Sequence, residues 1–126
     1  MTDYDIIFSA PMPATLPERI RRWFIDKCPA PWLEVAPDQY VLYLCPEFRQ
    51  LALEEPEQEP RYRLAGNPHI VLMDEQRIAL VSFRDEATDQ ALRAFAEWLS
   101  TQVEYDLYDG PLPIPPSDLT HPELYE

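Results

Sequence analysis

The stretch HIVLMDEQRIALVSFRDEATDQALRAFAEWLSTQV, from His69 to Val103, decides the architecture. It opens with two apolar runs, His69 to Met73 and Arg77 to Phe83, separated by the polar Asp74-Glu75-Gln76. Apolar runs of this length joined by a short polar turn are expected to pair as a β-hairpin in the middle of a sheet. Asp85 then opens a helix. Ala87, Ala91, Leu92, Phe95, Trp98, Leu99 and Val103 recur on one face, while Glu86, Asp89, Arg93 and Glu97 fall away from it. Such an apolar stripe has to be buried, and a sheet face is the natural place.

Working outward, Tyr4 to Ser9 reads as a first strand, followed by a linker with Pro11 and Pro13. Thr15-Leu-Pro-Glu18 has the spacing of a capping box, and Leu16, Ile20, Trp23, Phe24 and Cys28 continue a helical stripe that Pro29 and Pro31 end. Trp32 to Val35 and Gln39 to Leu44 read as strands split by Pro37-Asp38, and Pro46 to Leu53 as a short helical turn. Glu54 to Pro60 reads as a solvated, extended acidic loop. Arg61 to Ala65 alternates polar and apolar like an edge strand, as does Tyr105 to Tyr108, which is expected to close the sheet.

The element order predicts an α+β fold: a mainly antiparallel sheet with two amphipathic helices on one face. A ferredoxin-like split βαβ arrangement with extra strands in the middle fits that order best. Residues 1–109 form the expected single domain. Residues 110–126 form the expected proline-rich, acidic C-terminal extension, extended and either packed on the domain or partly mobile.

With 126 residues the chain has room for one core. Its formal charge is −13, and its ten basic residues are scattered. The densest basic group, Arg19, Arg21 and Arg22, has Glu18 and Asp26 close by. That balance argues against nucleic acid or an anionic membrane as partner, and no apolar run is long enough to cross a bilayer. An acidic field instead speeds encounter with a basic protein. Cys28 and Cys45 read as buried free thiols of a reducing compartment, and the acidic N-terminus lacks the features of a signal peptide, so a cytoplasmic location is expected.

Little of the chemistry of catalysis is on offer. The histidines are His69 and His121, no serine lies in a nucleophile-elbow pattern, and Cys28 falls at a helix C-terminus, where the dipole opposes a thiolate. No cysteine or histidine pair has zinc spacing. Two glycines, Gly66 and Gly110, cannot build a phosphate-cradling loop. The expectation is a protein with no cofactor, no metal and no reaction of its own.

What remains is surface. Glu54, Glu55, Glu57 and Glu59 form one acidic segment. Glu104-Tyr105-Asp106-Leu107-Tyr108-Asp109 puts three acids and two tyrosines in six residues, and Asp118 to Glu126, with Tyr125, repeats the mixture. Tyrosines are favoured interface anchors because they join contact area to a polar tip. A small, acidic, aromatic-rich α+β chain with the Glu54–Glu59 segment and the Tyr105–Asp109 cluster resembles the bacterial immunity proteins. That resemblance implies neutralisation of a cognate toxin from a contact-dependent or type VI secretion system. The acidic surface would occlude a basic active site or take the place of its anionic substrate. Glu54, Glu55, Glu57, Glu59, Glu104, Tyr105, Asp106, Tyr108 and Asp109 are then the expected partner-binding residues. The competing expectation is a regulatory domain or enzyme that holds an anionic metabolite through Arg61, Arg63, Arg77 and Arg84, with Arg61 and Arg63 on one strand face.

Overall fold

The computed structural model describes residues 2–64, 66–83, 85–116 and 119. Seven strands form one antiparallel sheet: β1 (Thr2–Phe8), β2 (Trp32–Ala36), β3 (Gln39–Leu42), β4 (His69–Asp74), β5 (Arg77–Ser82), β6 (Tyr105–Asp109) and β7 (Leu112–Ile114). The helices are α1 (Leu16–Lys27), α2 (Pro46–Glu54), α3 (Glu59–Leu64) and α4 (Glu86–Ser100), with a 3₁₀ turn at Pro56–Gln58. The strand order is β2-β3-β4-β5-β1-β6-β7. Within it, β4-β5-β1-β6 with crossovers α1 and α4 is the split βαβ arrangement that the element order predicts. The unit β2-β3-α2-α3 is inserted between α1 and β4, and it widens the sheet at the β4 side.

Alternation along the strands sorts side chains to two faces. Tyr4, Ile6 and Phe8 of β1, Ile78 and Leu80 of β5, Ile70 of β4, Tyr40 and Leu42 of β3 and Leu107 of β6 are buried against α1 and α4. Helix α1 brings Leu16, Ile20, Trp23 and Phe24, and α4 brings Ala91, Leu92, Phe95, Ala96 and Leu99. An aromatic cluster joins the layers. Phe24 stacks on Tyr40 with ring centroids 4.2 Å apart and planes 4° from parallel, and Trp23 meets Phe95 edge-on at 5.4 Å. On the opposite face a smaller core of Val41, Tyr43 and Ala52, with Leu33 and Val35, seats α2 under the β2–β3 end. Arg49 Nε, on α2, donates to the Trp32 carbonyl at 2.8 Å and ties this helix to the edge strand.

Several local expectations are corrected. The capping box does not form: Thr15 adopts a helical conformation and makes no side-chain cap hydrogen bond. Its Oγ1 accepts instead from Arg19 at 3.1 Å, and Glu18 pairs with Arg21 at 3.6 Å. Glu54 to Pro60 is not an extended loop. Pro56 and Pro60 fall in the first turns of helical segments, where proline's fixed φ fits and its missing N–H is not needed. Arg61 to Leu64 is therefore helical and not a strand, so Arg61 and Arg63 do not share a strand face. Strand β6 is interior, because the start of the proline-rich extension adds β7 beyond it. Gly110, at φ +61°, makes the turn between them. Asp89 is buried, and accepts from Ser82 Oγ at 2.6 Å. Both cysteines are free, but half-buried. The extension reaches the core through Leu119, whose carbonyl accepts from Arg93 Nε at 3.0 Å. Arg84, Asp118, His121 and Tyr125, with the rest of residues 120–126, lie outside the described residues.

Candidate functional site

Three loops meet at one end of the sheet. The linker before α1 is held by Met12 N donating to the Glu75 carbonyl at 2.6 Å, beside Phe8 N on the Gln76 carbonyl at 2.8 Å. The β2–β3 turn is held by Leu72 N donating to the Asp38 carbonyl at 2.8 Å. The β4–β5 turn is closed by Gln76 N on Asp74 Oδ1 at 2.7 Å. Between them lies a cleft of about 460 Å³. Met12, Leu72, Pro13, Pro17 and Pro37 give it apolar walls, and Asp38, Asp74 and Glu75 stand on its exposed rim. Among the described residues, no basic one lines it. Three prolines fix the backbone of the walls, so little conformational freedom is left to lose on binding. The volume falls in the range of sites that take a small ligand or a projecting side chain. An apolar slot ending in carboxylates suits an arginine or lysine, which buries its methylene stem and keeps its charged head at the rim.

The residues singled out by the sequence divide among other places. Glu54, Glu55 and Glu57 are exposed at the end of α2 and in the 3₁₀ turn. Glu59 is half-buried on α3, where its Oε1 lies 3.5 Å from Arg63 Nε. It lines a smaller cleft of about 260 Å³ with Leu33, Val35, Ala52 and Pro56. Nearby, the buried Tyr43 phenol makes no hydrogen bond with a described residue, and burial, then the Glu59 carboxylate, push its pKa up to about 12. Glu104 and Asp106 are exposed at the other side of the sheet and line a cleft of about 390 Å³ with Tyr105, Ser9 and Ser100. Tyr105 and Leu107 turn toward the helices, and the Tyr105 hydroxyl donates to the Ala96 carbonyl of α4. Asp106 and Tyr108 turn to the other face, and Asp109 is half-buried beside β7. Four strand steps separate β3, above α3, from β6, about 19 Å at the usual spacing. The two acidic groups therefore do not form one surface.

The arginines considered for a metabolite site are also dispersed. Arg77 pairs with Asp5 at 2.8 Å across β1 and β5, and Arg63 donates to Gln39 Oε1 at 2.7 Å as well as facing Glu59. Arg61 is exposed on α3. His69 begins β4 half-buried, with Nδ1 3.4 Å from the Asn67 carbonyl, and burial lowers its pKa. Burial also raises the pKa of Cys28. Among the described residues no group of three His, Cys, Asp or Glu could hold a metal ion, and no helix is long and apolar enough to cross a membrane.

No family model, no curated protein and no solved structure matches the chain.

Asp38, Asp74 and Glu75 carry no local signature that sequence reading could use. The first lies in one turn and the other two in another, some thirty-five residues on, and of their apolar partners Met12 and Pro13 precede α1 while Pro17 stands in its first turn. The one available signal is that all of them fall in polar or proline-marked breaks between strong periodic segments.

Proposed function

We propose that this chain is a cytoplasmic acidic binding protein that neutralises a basic partner protein, acting as an immunity protein toward a cognate bacterial toxin. One observation carries the reading: the cleft between the linker and the two turns joins apolar walls to three rim carboxylates, with no cation among the described residues that line it. On a molecule of charge −13 that site adds a local receptor to a long-range attractive field. An exposed arginine or lysine beside the toxin's active site would anchor there, and the bulk of the acidic domain would cover the catalytic surface. The acids Glu55 and Glu57, and Asp106 and Asp109, which lie outside the cleft, contribute to the field and not to the anchor.

The test is co-expression with a secreted toxin encoded beside this chain. Rescue of growth is expected from the native protein. Triple reversal at Asp38, Asp74 and Glu75 to Lys should weaken the complex by about 100-fold or more, with a steep loss at higher salt. Reversal of Glu55 and Glu57, or of Asp106 and Asp109, should slow association by less than about ten-fold. Rescue and affinity indifferent both to salt and to the triple reversal would overturn the proposal.

A further inference from the structure

We infer that the groove between α1 and α4 is a binding site for a small aromatic carboxylate, independent of the acidic cleft. Arg19, Arg22, Trp23, Asp26 and Lys27 recur at helical spacing on one face of α1, and Trp98 and Gln102 face them from the end of α4. Three of the ten basic residues of a strongly acidic chain thus converge on one pocket, with Asp26 the single acid among the described residues that line it.

Its floor is aromatic: the Trp23 and Trp98 rings stack with centroids 6.0 Å apart and planes 27° from parallel, and Trp98 is half-exposed. Arg19 is fixed in place, donating to Gln102 Oε1 at 2.8 Å and to Thr15 Oγ1 at 3.1 Å. The neighbouring Arg21 is committed elsewhere, to both oxygens of Glu34 at 2.9 and 3.0 Å. Arg22 and Lys27 are exposed, and neither makes a hydrogen bond or ion pair with a described residue.

The size and the charge together select the ligand. The pocket holds about 210 Å³. That lies below the range of about 300 Å³ upward that drug-sized ligands occupy, and suits a single ring with one acid group. The ring lies against indole and the carboxylate takes the guanidinium and ammonium groups at the rim. Polyanions and acidic proteins are disfavoured, because the whole molecule repels them, whereas a small monoanion feels little of that field.

The experiment is calorimetric titration of the full chain with 4-hydroxybenzoate, read in parallel by tryptophan fluorescence, with 4-hydroxybenzamide as the neutral control. Saturable binding at about 1 mM or tighter is expected, with the amide weaker by about ten-fold or more. Arg22→Gln with Lys27→Gln removes both charges without setting a new acid beside Glu18, Asp26 or the helix C-terminus, and should change the melting temperature little while weakening benzoate binding by about ten-fold or more. Reversal at Asp38, Asp74 and Glu75 should not weaken it. Absence of saturation up to about 10 mM, equal binding of acid and amide, or undiminished binding by the double variant would overturn the inference and leave the partner-binding proposal untouched.

Discussion

Ser82 Oγ donates a 2.6 Å hydrogen bond to Asp89 Oδ1, linking the central strand β5 to the first turn of α4 inside the buried layer. A carboxylate at 5% exposure is held there because a hydrogen-bond donor meets it. Asp89→Ala removes that acceptor and leaves a buried hydroxyl to be satisfied elsewhere. It should cost about 1–3 kcal/mol in urea unfolding, and Asp89→Asn less.

The two long helices begin differently, and their first residues should respond differently to truncation. Asp85 caps α4, accepting from Thr88 N at 3.0 Å, so Asp85→Ala should lower stability by about 1 kcal/mol. Thr15 makes no cap hydrogen bond, so Thr15→Ala should change stability by less than about 0.5 kcal/mol. Equal losses in thermal or chemical unfolding would contradict the assigned caps.

Phe24 stands in the middle of the aromatic cluster, touching Trp23, Trp32, Tyr40 and Phe95. Phe24→Ala should cost about 3–5 kcal/mol, enough to unfold a domain of ordinary stability at elevated temperature. Phe24→Leu should recover much of it, and near-ultraviolet circular dichroism should report the lost ring packing.

Stability should vary with pH at both ends of the range. Burial depresses the His69 pKa in the folded state, so below 6.5 the unfolded chain binds the additional proton. The contribution is complete above that value and is lost as pH falls through the folded pKa. His69→Gln should flatten this slope. The Tyr43 pKa is raised to about 12, so between 10 and 12 the unfolded chain releases a proton that the folded one keeps. Stability should therefore decline across that alkaline window, and Tyr43→Phe should remove that part of the decline.

The periodic segments were legible in the residues themselves. The hairpin from His69 to Phe83 and the stripe from Ala91 to Leu99 match β4, β5 and α4, because long apolar patterns leave few alternatives, although Ala87, expected on the stripe, is exposed. Short segments misled. Arg61 to Ala65 alternates over too few residues to tell a strand from a turn of helix, and Pro60 starts a helix more readily than it joins a sheet. Asp109-Gly110 is a hairpin signal that the following prolines obscured. The Tyr105–Asp109 cluster looked like one surface, yet strand alternation sends Tyr105 and Tyr108 to opposite faces. The acid-rimmed cleft was out of reach because tertiary contacts alone bring Met12, Asp38 and Glu75 together.

The place of β1 between β5 and β6 has a consequence for synthesis. Tyr4 leaves the ribosome well before its neighbours across the sheet, Leu80 and Asp109. Strand β1 therefore has no ladder to join until β5 and β6 have been translated. Its Ile6 and Phe8 must be shielded during that delay, so substitutions that raise the stickiness of residues 2–8 should lower the yield of native protein in cells more than they change its equilibrium stability.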